Sequence, residues 1–374
     1  MRDYLQEYGI ERYINAHDTI TLYGASRMAE STLEAVRQVS GCFVDIVQMQ
    51  RALGERIAAM THNEAAYIAN CAAGALQLCA AVCMAGDSEA AYRRLPDTTG
   101  LRSEIIVLHA QHNCYDKAVE AAGARVRIVG DADETLPFML EDGITEATAA
   151  VLYCPASIYR RGSLPLKEVV RIAHARGIPV IVDAAAQLPP RENLWAFTQA
   201  GADMTVFSGG KTLCGPQTSG LIVGTRAMID RCIRFGAPMH GICRSAKASR
   251  ESMIGLCAAI ESYMAQDAQQ EKARLGAMVD RLVEVMCRYP IYSPYRVEQG
   301  SVGQDYPRAF AHLECGVTAK EMAAYMRSRR IFIGTDEREN TLYISPLNLT
   351  EQECGEVCAA LADAGARWAG GAVL

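Results

Sequence analysis

Two residues of opposite charge stand at the ends of neighbouring apolar runs. Ile178-Pro-Val-Ile-Val-Asp183 closes on an acid, and 28 residues further on Met204-Thr-Val-Phe-Ser-Gly-Gly-Lys211 closes on a lysine that follows two glycines. A third apolar run, Leu221-Ile-Val223, comes soon after. Ligands of open α/β sheets gather outside the carboxyl ends of strands, so this spacing predicts Asp183 and Lys211 at one crevice. A lysine amine there can condense with an aldehyde, and glycines let the backbone come close to a ligand. An acid beside it can keep a pyridine nitrogen protonated, which makes the ring an electron acceptor. Together these are the requirements of pyridoxal phosphate chemistry. Without any ligand, the same residues also fit a surface lysine after a glycine turn and a strand-end acid capping the next helix.

Other chemistries lack their residues. Gly210-Lys211-Thr212 ends like a phosphate-binding loop, but that loop needs a glycine at position 205, where Thr205 stands inside an apolar run. No Gly-x-Gly-x-x-Gly follows a strand pattern, which removes support for a dinucleotide site. The closest cysteine pairs, Cys79/Cys83 and Cys354/Cys358, sit in apolar helical patterns, with no Cys-x-x-Cys or His-Glu-x-x-His, so no metal is expected. The 14 cysteines, with no secretory leader at the amino end, are expected as buried thiols in a cytoplasmic protein.

These residues need elements to hold them. The chain has 374 residues, enough for about two domains, and its 50% apolar and 21% charged composition excludes a disordered chain. Net charge is −6 with no dense basic block, so nucleic acid is not an expected partner. The longest apolar run, residues 72–86, is interrupted by Gln77 and falls short of the roughly 20 residues a bilayer demands. Residues 28–60 carry apolar groups at helical period and read as one or two amphipathic helices. Between 61 and 224, apolar runs at 104–108, 125–129, 149–153, 178–182, 204–207 and 221–223 alternate with helical patterns, which predicts an α/β layer with a mostly parallel sheet. A long helix over about 252–288 should lead to a smaller α+β domain with strands near 309–314 and 342–345 and helices near 319–328 and 350–364. The expected division is 1–60, a helical segment packing on the small domain or a dimer partner; 61–245, the large domain; and 246–374, the linking helix and small domain.

The run Val182-Asp-Ala-Ala-Ala-Gln-Leu-Pro-Pro190, with Gly201-Ala-Asp-Met-Thr-Val-Phe-Ser-Gly-Gly-Lys211 and Gly215-Pro-Gln-Thr-Ser-Gly-Leu-Ile-Val-Gly224, resembles the selenocysteine synthase-like family of fold-type I pyridoxal phosphate enzymes, in particular its tRNA-independent, D-glucosaminate-6-phosphate ammonia lyase-type members. Asn15-Ala16, residues 19–28 and the Gly241–Glu251 stretch are similar to the family's other signatures. The resemblance implies that Lys211 binds the cofactor covalently and that Asp183 partners the pyridine nitrogen. It implies that Gln187 reaches the ring oxygen, that Ser208 donates to the phosphate, and that Cys71, Ala72 and Ala73 open the helix cradling that phosphate. A ring-stacking histidine is expected after the strand at 104–108, His112 being favoured and His109 the competitor. Ser26, Arg244 and Lys247 are the expected contacts to an anionic amino substrate, in a homodimer or higher assembly. Departures at His17-Asp18, Gly24-Ala25-Ser26 and Arg250 are expected to flank the substrate pocket. The implied activity is α,β-elimination on a small amino acid or amino-sugar acid, phosphorylated or not, giving a 2-oxo acid and ammonia. Replacement, racemisation or aldol cleavage on the same scaffold, tRNA-dependent selenium transfer, and a non-catalytic cofactor-binding role remain alternatives. Selenium transfer is disfavoured because the chain begins almost at the Asn-Ala signature, without the separate tRNA-binding segment.

Overall fold

Six apolar runs read from the sequence become strands of one seven-stranded sheet, in a computed structural model that describes residues 2–369. The strands are β1 (Ala65–Ala69), β2 (Glu104–Leu108), β3 (Arg125–Val129), β4 (Thr148–Tyr153), β5 (Val180–Asp183), β6 (Met204–Ser208) and β7 (Gly220–Gly224). Their order is β1-β7-β6-β5-β4-β2-β3, parallel from β6 across to β3 and antiparallel where β7 pairs with β6 and β1. This is the mostly parallel α/β layer expected. β1 is the strand the periodicity missed, since Ala-Ala-Tyr-Ile-Ala has little β-forming character beyond two residues and gains its burial from β7 and the helices around it.

Apolar cores lie on both faces of this sheet, so successive residues of one strand serve opposite cores. Ile105 and Val107 pack with helix Cys71–Ala85, while Ile106 and Leu108 pack with helices Ile46–Met60 and Leu166–His174. That two-sided burial is why the strands read as continuous apolar runs. Helix Cys71–Ala85 is apolar on nearly all sides, as a helix buried around its circumference must be. The edge strand β3 carries the exposed Arg125 and the half-buried Arg127, charges that discourage further strand pairing.

The chain separates into two units whose limits differ from the expected 60 and 246. The larger unit is Ser26–Gln266 with Ser301–Gln304; the smaller comprises the residues up to Ala25, Asp267–Gly300 and those from Asp305 onward. The expected single helix over 252–288 is two, Arg250–Ala265 and Ala268–Met286, because the Asp267 side chain accepts from the Gln269 and Gln270 N–H groups and starts a new helix. No helix among the described residues is long and apolar enough to cross a membrane. All fourteen cysteines are free; five are buried, but Cys42, Cys114, Cys287 and Cys315 are exposed, contrary to the expectation of burial.

The smaller unit holds a four-stranded antiparallel sheet of β8 (Tyr292–Val297), β9 (Arg308–Leu313), β10 (Gly334–Asp336) and β11 (Thr341–Ile344), ordered β10-β11-β9-β8. Ala309, Ala311, Leu342 and Ile344 face a core shared with helices Ala268–Met286, Ala319–Ser328 and Glu351–Ala369. On the other face, register aligns Tyr295, Phe310 and Tyr343 across three strands, with stacked rings 5.5 and 5.3 Å apart. Two residues before Phe310 on β9, Arg308, only 4% exposed, donates to Asp18 Oδ2 at 2.9 Å and to the Tyr306 hydroxyl at 2.6 Å.

The Tyr343 ring lies across β10 at Gly334, where an added Cβ would fall 2.0 Å from Cζ. Gly334→Ala should therefore cost about 1–3 kcal/mol of stability, as overpacking does, and lower the thermal midpoint. Adding Tyr343→Ala should make the glycine substitution nearly silent. An equal cost in both backgrounds would show that the ring is not what excludes the methyl group.

Candidate active site

The site grows from the carboxyl ends of the parallel strands. Asp183 ends β5 and is paired in register with Val206 of β6, two residues before Ser208 ends that strand. Ser208 pairs with Gly220 of β7, and Gly220 pairs on its other side with Ala69, the last residue of β1. Two strand spacings of roughly 4.8 Å put Ser208 and Ala69 about 10 Å apart. Helix Cys71–Ala85 starts directly after Ala69 and Asn70, so its amino end reaches the same edge as Asp183, Ser208 and Lys211.

Two glycines at this edge have no room for a Cβ. One on Gly210 would lie 2.6 Å from Gln217 Cα, and one on Gly220 would lie 2.3 Å from the Cys71 carbonyl oxygen. Lys211 is thereby presented by a turn packed against its neighbours. The Ser26 hydroxyl donates to the Gly210 carbonyl at 2.8 Å, which brings that expected substrate contact to the same turn.

Burial raises the Asp183 carboxyl above its ordinary range; a hydrogen bond from the Ala185 N–H and the Lys211 charge act against this, and the Asp116 charge acts with it. Only its Oδ1 accepts a hydrogen bond among the described residues. Gln187 is 5% exposed, yet its side-chain amide makes no hydrogen bond among the described residues. Asn70 precedes the helix at Cys71 without capping it, donating instead to the Lys247 carbonyl at 3.2 Å. The helix therefore offers uncapped N–H groups and a favourable dipole at Cys71, Ala72 and Ala73.

Further side chains converge from β2 and β4. Gln111 Oε1 accepts from the Cys154 N–H at 2.7 Å, and burial pushes the Cys154 thiol up to about 12, the Asp183 charge adding to the effect and Lys211 opposing it. Burial also raises Tyr159, with Cys154, Cys114, Asp116 and Asp183 contributing. His112 Nδ1 lies 2.6 Å from Asp116 Oδ2, while the exposed His109 ring makes no hydrogen bond among the described residues. Cys154, Tyr159, Gln111 and Asp116 were not legible as site residues; the only signal was Asn113 three positions before Asp116, a capping spacing.

Arg244 and Lys247 come together elsewhere on this unit. They line a cavity of about 190 Å³ with Gln50, Tyr67 and Met253, joined to the site edge by the Asn70–Lys247 hydrogen bond. A larger cavity of about 390 Å³, lined by Arg102, His174, Asp203 and Arg231, opens at the amino ends of β4–β6 and contains none of the expected site residues. Arg250 donates to the Ser40 and Cys42 carbonyls and to Glu251, so it serves packing within its unit. His17 and Asp18 are engaged in the smaller unit by Tyr343 and by Tyr306 and Arg308 respectively.

Residues 89–333 match the aminotransferase class-V family. The chain belongs to that family. It is 28% identical over 367 residues to the D-glucosaminate-6-phosphate ammonia lyase of Salmonella typhimurium, covering 95% of this chain and 96% of that protein. It is 28% identical to a 5'-C-glycyluridine monooxygenase-decarboxylase of a Streptomyces species over 88% of this chain and 85% of that protein. A 176-residue match at 31% identity, covering 44% of this chain and 36% of the other, joins it to the L-seryl-tRNA(Sec) selenium transferase of Nitratidesulfovibrio vulgaris. A solved D-glucosaminate-6-phosphate ammonia-lyase superposes with a TM-score of 0.84 at 27% identity, covering 98% of this chain and all of that one. The fold of this aminotransferase class-V chain is fold-type I, and its cofactor is pyridoxal 5'-phosphate. The residues fit that group: a buried acid with an oxygen lacking a donor among the described residues, an uncapped helix terminus and a lysine lie at one sheet edge.

Because the folded Asp183 carboxyl sits above its unfolded value, it binds a proton more readily in the folded chain, and this site opposes folding increasingly as pH rises through that interval. In cofactor-free protein Asp183→Asn should raise the thermal midpoint at pH 7. The gain should shrink below the ordinary carboxylate range, where both states hold the proton. A gain that does not change with pH would remove the electrostatic cause.

Proposed function

We propose that this chain is a pyridoxal phosphate-dependent lyase of the ammonia-lyase type, removing a β-substituent from a small amino acid or amino-sugar acid and releasing a 2-oxo acid and ammonia. The observation that supports the reading is the buried Asp183 within electrostatic reach of Lys211, on a chain similar along nearly its whole length to a D-glucosaminate-6-phosphate ammonia lyase. When bound, the cofactor supplies an electrophilic aldehyde carbon and a ring that accepts electrons from the substrate α-carbon.

Lys211 Nζ would hold the cofactor's aldehyde carbon, and its amine is the base that would take the substrate α-proton. Asp183 would keep the proton on the pyridine nitrogen, a charge interaction that its desolvated setting would strengthen. Gln187 orients the ring through its phenolic oxygen. Ser208 and the N–H groups at Cys71, Ala72 and Ala73 hold the phosphate, and His112 covers the ring face. Ser26 lies by the lysine turn to meet the substrate, while Arg244 and Lys247, neither paired with an acid among the described residues, receive its anionic end.

The reading includes a homodimer or larger assembly, supported by Phe43, fully exposed beside the exposed Val44. It includes a cytoplasmic location, supported by fourteen free thiols, which a reducing compartment preserves. The relative that is a monooxygenase-decarboxylase supports a second reading, in which the bound substrate is oxidised.

Purified protein should release 2-oxo acid and ammonia in equal amounts from phosphorylated or unphosphorylated amino-sugar acids or β-hydroxy amino acids, without taking up oxygen. Oxygen uptake with loss of carbon dioxide would favour the second reading, and no turnover across the panel would sink the lyase reading. Borohydride should fix the cofactor on the peptide containing Lys211. Lys211→Ala should lose at least about 10³-fold in turnover, since it removes both the attachment and the base.

A further inference from the structure

His112 and Asp116 stand in an unequal pair. The imidazole side chain is 53% exposed, whereas the Asp116 side chain is 5% exposed, and their Nδ1···Oδ2 distance is 2.6 Å. A buried carboxylate against one ring nitrogen decides which nitrogen carries hydrogen and how far the ring can turn. Asp116 is itself held: Asn113 and Asp116 form a reciprocal cap, with the Tyr115 N–H donating to Asn113 Oδ1 at 2.8 Å and the Asn113 N–H to Asp116 Oδ2 at 3.3 Å. Behind the cap, Asn113 Nδ2 donates to the Gln111 carbonyl at 2.8 Å, and the buried Gln111 joins Ser163 and the Cys154 N–H. The loop after β2 is thus tied to the start of the segment after β4, on the edge that carries Asp183.

We infer that Asp116 is a positioning residue which holds His112 in the Nδ1–H tautomer with a fixed ring plane, so that Nε2 and the ring face are what the loop presents to the cofactor. The inference rests on the proposed function, which puts His112 on the cofactor ring. The carboxylate has no donor of its own when ionised, so it accepts the Nδ1 hydrogen and leaves Nε2 as the acceptor. The opposite tautomer would set two acceptors against each other at 2.6 Å. His109 has no such partner and its ring plane is not fixed by any hydrogen bond among the described residues.

Asp116→Asn tests this because one oxygen, Oδ2, meets both Nδ1 and the Asn113 N–H: an NH2 in its place donates to Nδ1 and favours the other tautomer, at the loss of the Asn113 N–H bond. In the cofactor-loaded enzyme labelled with ¹⁵N-histidine, the signal assigned by its loss in His112→Ala should show protonated Nδ1 in the parent and a shift toward protonated Nε2 in Asp116→Asn. The cofactor absorption band should move in the same direction in both variants. Turnover should fall about 10- to 100-fold in Asp116→Asn with a smaller change in KM, and the substitution should cost nothing further on a His112→Ala background. If His112→Ala leaves the cofactor band unmoved, the stacking role fails and the inference falls with it. If His112→Ala moves the band while Asp116→Asn leaves both tautomer and band unchanged, the inference alone is overturned. An equal loss from Asp116→Asn with and without His112 would make Asp116 a loop cap and nothing more.

Discussion

An acid buried at the end of β5 faces a lysine carried by the turn after β6, and much of the larger unit can be understood as the means of keeping those two charges there. Desolvation acts to neutralise Asp183, while the Ala185 N–H and the Lys211 charge act to keep it ionised. Neither support is optional for a carboxylate away from water, because an unpaired buried charge would simply take up a proton. Under the proposed function a protonated pyridine nitrogen would be the partner this carboxylate lacks, so a charge placement that opposes folding of the empty protein would serve the loaded one.

Holding the lysine requires backbone rather than side-chain packing. Gly210 against Gln217 and Gly220 against the Cys71 carbonyl leave no room for a methyl group, so the lysine turn, β7 and the first turn of helix Cys71–Ala85 form one close-packed body. The same contact that fixes Lys211 thereby fixes the uncapped helix terminus about a strand spacing or two away. Rigidity here follows from backbone atoms meeting backbone atoms, which cannot rotate aside as a side chain can.

The smaller unit manages charge in the opposite manner. Arg308 is nearly as buried as the apolar residues around it, but Asp18 and the Tyr306 hydroxyl satisfy it, and the Tyr306 ring lies 4.1 Å from its guanidinium carbon. Burial of a paired cation is tolerable where removing either partner would be costly, by about 3–5 kcal/mol in comparable buried pairs. Asp18 and His17, the departures from the family signature, are thus employed in interactions inside their own unit.

The strands and the principal chemistry were legible because each is written in contiguous residues. Two-sided burial makes runs such as Ile178–Val182 continuously apolar, and a strand-end acid and a glycine-flanked lysine announce themselves by type and spacing. The break at Asp267 was equally local but was hidden by apolar periodicity on both sides of it. What the tertiary structure alone decided are relations between distant segments: that β1 joins the sheet beyond β7, that Asp116 of one loop stands behind His112 and within electrostatic reach of Asp183, and that Arg250 spends its donors on the Ser40 and Cys42 carbonyls. Residue types fix what a side chain can donate, accept or carry as charge. Which partner it meets depends on strand register and helix packing, and those are set by burying the whole apolar surface at once, a quantity no local stretch of sequence contains.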